Sequence, residues 1–229
     1  MVITLDALGT LVELQPPAPL LAAALRRHGA RCSEEQAAQA IAAEIAYYRA
    51  NHDSARDELS LARLRARCTQ VLKQGLQLAG APDAPGLAPG ELQEALLSSL
   101  RFAPYPEVAG ALSALRGAGH RLVVVSNWDV SLHAMLRSTG LEALVDGAIS
   151  SAEAGVAKPG AAIFRQALAL AGGGAGAALH AGDSVEHDVA GALAAGLAAV
   201  LVVRRGPAPA LPTGVRAIRS LAELAGLAA

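Results

Sequence analysis

The sequence predicts an α/β protein: a doubly wound parallel sheet interrupted by an inserted, all-helical block. Three observations carry that expectation. An apolar run, Val2 to Leu5, stops abruptly at Asp6. Residues 18–100 then show helical patterning and no convincing strand. After Pro104 and Pro106, short β-branched or apolar runs alternate with helical stretches almost to the last residue.

Taken in order, Gly9-Thr10 marks a turn after the first strand, and Pro16, Pro17 and Pro19 break any further extended run. Helical patterns cover residues 20–28, 33–51, 59–78 and 89–100. Ser33 and Gln36 have the spacing of a capping box, in which each side chain satisfies a first-turn amide. Residues 80–86, with Pro82, Asp83 and Pro85 between two glycines, form a loop. A helix over 108–118 leads into the run 121–125, which ends at Ser126-Asn127. Next come a helix over 131–138, a weaker strand over 145–150 and a helix over 161–170. The strand 177–181 ends at Gly182-Asp183; a helix over 185–195, a strand over 198–203 and a short helix over 220–225, stopped by Gly226, complete the chain. Such alternation implies a parallel sheet covered on both faces, with right-handed crossovers that bring every strand's C-terminal end to one rim. The first strand must belong to that sheet. Residues 1–15 plus 101–229 therefore form the core, and 16–100 a helical insertion above the rim.

Formal net charge is −1, which favours neither nucleic acid nor an anionic membrane surface as partner. Ala supplies much of the apolar content, which suits helices. No apolar run reaches the roughly 18–20 residues that cross a bilayer. The N-terminus lacks a basic region and meets Asp6 at once, against a signal peptide. Cys32 and Cys68 read as free thiols on helices in a reducing cytoplasm. No residue pattern sets an oligomeric state.

Ligands of such sheets bind outside the carboxyl ends of the strands. Asp6, Ser126-Asn127 and Asp183 all fall there, with Lys158-Pro159 in a loop before a helix. This set can move a phosphoryl group onto and off a carboxylate: one carboxylate attacks, a Lys neutralises charge, and a hydroxyl and amides hold the oxygens. Two acidic groups beside a bound phosphate require a cation. Mg²⁺, which takes few protein carboxylates plus water and substrate oxygens, meets the requirement.

At this point four segments, in order, resemble a known family. Asp6-Ala7-Leu8-Gly9-Thr10-Leu11 is similar to the first motif of the haloacid dehalogenase superfamily, and Val123-Val124-Val125-Ser126-Asn127 to its second. Lys158-Pro159 resembles the third, and Gly182-Asp183-Ser184-Val185-Glu186-His187-Asp188 the fourth. The likeness implies a Rossmann-like core with the helical insertion as the family's first type of cap, closing over the site. It implies Asp6 as nucleophile, Thr10 steadying its loop and contacting substrate, and Ser126 and Asn127 at the phosphate oxygens. Lys158 would pair with Asp6 and phosphate, and Asp188 would orient Lys158 or a metal-bound water. Mg²⁺ would sit on the Asp6 carboxylate, the Leu8 carbonyl and Asp183. The implied substrate is a small phosphorylated metabolite.

Leu8 departs from the phosphatase pattern, which has a proton-donating Asp two residues after the nucleophile. The 2-haloacid dehalogenases of the family lack that Asp too, and Asp6-Ala7-Leu8-Gly9-Thr10 differs from their first motif in one residue. They need no metal, however, and lack the Gly182-Asp183 pair; Phe164 also stands where they carry a Tyr. The first motif thus permits dehalogenation of a 2-haloacid, the fourth favours Mg²⁺, and a weakly active regulatory relative is a third reading. Trp128 and Asp129 could shape the pocket or merely pack, His187 reads as an exposed residue, and Tyr47, Tyr48 and Arg49 could select substrate or pack. The glycine-rich stretch 172–177 follows a helix and precedes a strand, the reverse of a dinucleotide fingerprint.

Overall fold

A computed structural model describes residues 1–227. It divides into two compact units: Met1–Glu13 with the chain from Ala103 onward, and Leu14–Phe102. Strand β1 (Val2–Leu5) opens the chain, and β2 (Val12–Leu14) leads out of the first unit. Helices α1 (Pro17–Arg27), α2 (Glu34–Asn51), α3 (Glu58–Leu78) and α4 (Pro89–Ser99) follow, and β3 (Phe102–Pro104) pairs with β2 as a two-stranded sheet.

The helical unit is a bundle around Leu21, Leu25, Ile41, Leu72, Leu76 and Leu96, all buried. Gly75 on α3 lies so near α2 that a Cβ there would stand 2.8 Å from the Ala40 Cα. The Ser33 capping box forms, with Gln36 N donating to Ser33 Oγ at 3.1 Å and Ser33 N to Gln36 Oε1 at 2.9 Å. Helix α1 starts earlier than its apolar pattern because proline at the first helical position loses an amide that has no partner anyway. Cys68 lies on α3, but Cys32 precedes the α2 cap and is not helical; both side chains are buried. Tyr47 and Tyr48 pack against the bundle core.

In the other unit, α5 (Val108–Gly117), β4 (Arg121–Ser126), α6 (Leu132–Ser138), β5 (Gly147–Ser150), the short α7 (Ser151–Ala154) and α8 (Ala161–Leu170) follow one another. They are succeeded by β6 (Ala178–Gly182), a π-type turn over Val185–Ala190, α9 (Gly191–Ala194), β7 (Ala198–Val202) and β8 (Arg216–Ile218). The six strands are ordered β5-β4-β1-β6-β7-β8, and every pairing is parallel. Val2, Val123, Val125 and Ala178 bury one face against Ile163, Phe164 and Ala167 of α8. The alternate residues Ile3, Leu5, Leu122 and Val124 are equally buried, as a parallel sheet covered on both sides requires.

Four local expectations need correction. Strand β2 was not anticipated, although it ends at Leu14, just before the prolines that were expected to break extension. The predicted helix over 185–195 is a π-type turn followed by one α-turn, with Asp188 N and Val189 N both bonded to the Ser184 carbonyl. Gly226 lies inside the last 3₁₀ segment, Leu221–Gly226, rather than stopping it. Strand β8 was not anticipated, because three residues carry too little alternation to read. Among the described residues no helix is long and apolar enough to cross a membrane.

Candidate active site

Strands β4, β1 and β6 are neighbours at the centre of the sheet, so the residues at their C-terminal ends meet. Asp6 follows β1, its amide extending the ladder by bonding the Ala181 carbonyl at 3.0 Å. Ser126 ends β4 and donates its hydroxyl to Asp6 Oδ1 at 3.0 Å. Lys158 arrives from the loop before α8 and donates Nζ to Asp6 Oδ1 and to Asp188 Oδ1, each at 2.6 Å. Both donors to Asp6 converge on Oδ1, so Oδ2 is the carboxylate oxygen spared by these two side chains.

The loop after Asp6 is wound tightly by its own backbone. The Ala7 carbonyl accepts from Leu11 N at 2.8 Å and Val12 N at 3.0 Å, and Gly9 N donates to the Val12 carbonyl at 2.8 Å. Gly9 has φ +84°, and a Cβ on it would stand 2.0 Å from Asp183 Oδ2. Only glycine allows both the turn and the close approach of Asp183. Leu8 is half-buried, and its side chain has no proton to give.

Asp188 is held from several sides. Its Oδ1 takes Lys158 Nζ and lies 3.1 Å from His180 Nε2, while Oδ2 accepts Ser184 N at 2.9 Å. Gly182 makes this seat possible, because a Cβ there would be 2.2 Å from the Asp188 Cγ. Ligand oxygens of Asp6, Asp183 and Asp188 all lie within 4.8 Å of one another.

Burial, and then repulsion from Asp188, raise the Asp6 carboxyl despite Lys158. Asp183, the more exposed member of the trio, is pushed up to about 7 by the surrounding protein and by the charges of Asp6 and Asp188. Burial works against the charges of Lys158 and Asp188, but each is more than compensated. Lys158 is raised by Asp6 and Asp188; Asp188 is lowered by Lys158 and His180. Three carboxylates thus face one ammonium, and the surplus of negative oxygen donors suits a hard divalent cation such as Mg²⁺.

The structure brings together Asp6, Ser126, Lys158, Asp183 and Asp188. The Asn127 side chain is bound to the Lys158 backbone: its Nδ2 donates to the Lys158 carbonyl at 3.0 Å and its Oδ1 accepts the Lys158 amide at 2.8 Å. It therefore ties the lysine's loop to the end of β4. Thr10 is fully buried, its hydroxyl without a partner among the described residues, and its carbonyl accepts from Arg204 Nη2. Trp128 and Asp129 are buried, with Trp128 Nε1 donating to Ser131 Oγ at 3.3 Å and Asp129 Oδ1 accepting Ser131 N at 2.6 Å. His187 is exposed and contacts Ser184.

Sequence reasoning missed His180 and Arg204. The signal for His180 was a polar residue within the run leading to Gly182-Asp183, opposite another polar residue, Thr4, inside Val2–Leu5. Arg204 follows β7 and bonds Glu107 as well as Thr10, with its guanidinium 3.9 Å from the centre of the Tyr105 ring. Nothing local in the sequence announces that clamp.

A family model described as haloacid dehalogenase-like hydrolase matches residues 1–196. The chain is 31% identical over 209 residues to mouse haloacid dehalogenase-like hydrolase domain-containing protein 3, covering 90% of this chain and 82% of that protein. It is 36% identical over 138 residues to the phosphoglycolate phosphatase of Caulobacter vibrioides, 58% of each chain. The chain thus spans from 44% to 82% of the length of such curated relatives. Among solved structures, the defluorinating L-2-haloacid dehalogenase Rha0230 superposes with TM-score 0.75 over 99% of this chain and 94% of that one, at 22% identity, a likeness of fold.

Proposed function

The chain belongs to the haloacid dehalogenase-like hydrolases, and on that footing we propose that it hydrolyses a small phosphorylated metabolite with Mg²⁺, carrying the phosphoryl group on Asp6. The observation that carries this reading is the juxtaposition of Asp183 with Asp6 and Asp188, three carboxylates within 4.8 Å and a single lysine among them. A phosphatase-named relative supports the substrate class.

Asp6 Oδ2 attacks phosphorus, and the bond to the ester oxygen breaks with its electron pair leaving on that oxygen. Leu8 has no proton for the departing alcohol, so water supplies it. A second water then attacks the phosphorus, the bond to Asp6 breaks, and the carboxylate returns as inorganic phosphate leaves. Ser126 and Lys158 hold Asp6 Oδ1 throughout and offer donors to the transferring oxygens. Asn127 and Asp188 keep the lysine in place from its backbone and from its ammonium. Mg²⁺, on the Asp6 carboxylate, the Leu8 carbonyl and Asp183, would neutralise charge developing on the phosphoryl oxygens. The helical unit takes the role of cap, the part that chooses the substrate.

The test is a phosphate-release screen over many phosphoesters with Mg²⁺ and with EDTA, beside Asp6→Asn. Release that needs both Mg²⁺ and Asp6 is expected; identical behaviour of wild type and variant on every substrate would sink the reading. One observation favours a second reading, 2-haloacid dehalogenation: Leu8 leaves the site without an acid, and a departing halide needs none. Halide release in EDTA distinguishes it.

A further inference from the structure

The buried chain of hydrogen bonds continues past Asp188 into the sheet. His180 is fully buried in β6, with Nε2 3.1 Å from Asp188 Oδ1 and Nδ1 2.9 Å from Thr4 Oγ1. Thr4 is equally buried in β1 and is the register partner of His180. The ring also stands edge-on to Phe164, centroids 5.0 Å apart at 87°. Phe164 is itself wedged against Gly191, where a Cβ would lie 2.8 Å from it. Histidine in this place is held on every side.

From this arrangement we infer that His180 is a positioning residue: its Nε2–H fixes the Asp188 carboxylate and, through it, the Lys158 ammonium against Asp6. The kinetic part of the inference rests on the phosphoester reading; the spectroscopic part does not.

The hydroxyl of Thr4 is nearer to His180 Nδ1, at 2.9 Å, than to the Leu179 carbonyl, at 3.4 Å. Donation to the shorter of these two contacts, Nδ1, would place the imidazole proton on Nε2, aimed at Asp188. Lys158 alone is a poor locator. Its ammonium is a point charge on a flexible four-carbon stem, with no preferred fork geometry. What places it is two carboxylates, Asp6 and Asp188, each 2.6 Å from Nζ, and the pull from Asp188 is directional only while that carboxylate cannot rotate. Ser184 N holds Oδ2 at 2.9 Å, and His180 Nε2 lies 3.1 Å from Oδ1, the oxygen that also takes Lys158 Nζ. The sheet itself does not ask for this pair: replacing two bonded buried polar groups by apolar ones of like shape is often neutral. The pair finds its purpose in Asp188.

The test compares His180→Leu, His180→Gln and Thr4→Val with wild type, using para-nitrophenyl phosphate and Mg²⁺. Losing a group that orients a charged residue of the site typically costs about 10–100-fold. His180→Leu is expected to lose that much in kcat with KM nearly unchanged. His180→Gln, whose amide nitrogen can stand where Nε2 stands, is expected to recover most of the loss, and Thr4→Val to fall between them. An unchanged kcat in His180→Leu, or no recovery in His180→Gln, overturns the inference. Independently, nitrogen NMR of the folded wild type is expected to show a slowly exchanging proton on His180 Nε2; a proton on Nδ1 overturns it, whether or not any variant folds. A wild type inactive on every phosphoester sinks the phosphatase reading, while the NMR result still decides the role of His180.

Discussion

Gly9 and Asp183 are separated by less space than one methyl group fills: a Cβ on Gly9 would stand 2.0 Å from Asp183 Oδ2. Gly9→Ala is therefore doubly unfavourable. The left-handed backbone costs about 1–2 kcal/mol for a residue with a side chain, and the carboxylate must move as well. We expect denaturant unfolding to show at least that loss and calorimetric titration to show Mg²⁺ affinity lower by about tenfold or more. Unaltered Mg²⁺ binding in a folded Gly9→Ala protein would remove Asp183 from the metal site.

Lys158→Met leaves Asp6 and Asp188 buried without their cation. Breaking a buried pair from one side typically costs about 3–5 kcal/mol. Asp188, lowered in the wild type, gives stability that is present above the ordinary carboxylate range and lost as pH falls through its folded value. Lys158, raised, gives stability lost only as pH rises through its own folded value. The variant's deficit should be large at neutral pH and shrink in acid, where the Asp6 and Asp188 carboxyls left without their cation can take up protons. Urea unfolding at pH 4 and pH 7 checks it; an equal deficit at both would mean that packing, not charge, is what Lys158 supplies.

Most of the helices and the central strands were legible because each carries its own periodicity or ends at a marked residue. The pattern over 59–78 became Glu58–Leu78, and the runs before Asp6, Ser126 and Asp183 became β1, β4 and β6. Asp6, Ser126 and Asp183 were legible as candidates for the same reason: they sit where strands stop. What the sequence hid is created by pairing across strands. Thr4 means nothing until it stands beside His180, and the tie between the Asn127 side chain and the Lys158 backbone joins residues 31 positions apart. Arg204 and Thr10 lie at opposite ends of the unit's sequence and meet only because β7 and β1 share a sheet.

If Mg²⁺ binds as proposed, the raised carboxyl of Asp183, about 7, gives that binding a pH dependence of definite direction. Below that value a proton must leave before the metal can bind, so affinity should climb from pH 5 to pH 7 and level off above it. In metal-free protein the sign of stability is opposite. A carboxyl raised in the folded state contributes stability that is full below the ordinary carboxylate range and is lost as pH rises through about 7. Because Asp183 is exposed, solvent screens this contribution, and the binding curve is the better measurement. Mg²⁺ affinity that does not change between pH 5 and pH 8 contradicts the crowding of the three carboxylates.

In the proposed phosphoester reaction, Leu8→Asp supplies a proton donor two residues beyond Asp6. A positioned acid–base group is typically worth about 10²–10⁴-fold, and kcat on the best phosphoester should rise by an amount in that range. The gain should vanish when Asp6 is also replaced by Asn. A Leu8→Asp protein that binds Mg²⁺ normally and yet shows no gain would mean the leaving oxygen does not lie over position 8.

Arg204 braces the loop that carries Asp6. One guanidinium nitrogen donates to Glu107, another to the Thr10 carbonyl, and the plane lies over Tyr105, whose own amide holds the Leu11 carbonyl at 3.1 Å. Lysine can offer a charge at this point but not two donors in a fixed fork above a ring. Arg204→Lys should therefore fall nearly as far as Arg204→Ala, by about 1.5–3 kcal/mol for a lost charge-assisted bond. Hydrogen exchange should speed up through residues 7–12, where the amides of Leu11 and Val12 are tied to the Ala7 carbonyl. Since the loop also sets the approach of Gly9 to Asp183, Mg²⁺ affinity should weaken alongside. Faster exchange confined to the segment after β7, with residues 7–12 as protected as in wild type, would show that Arg204 anchors only its own strand end.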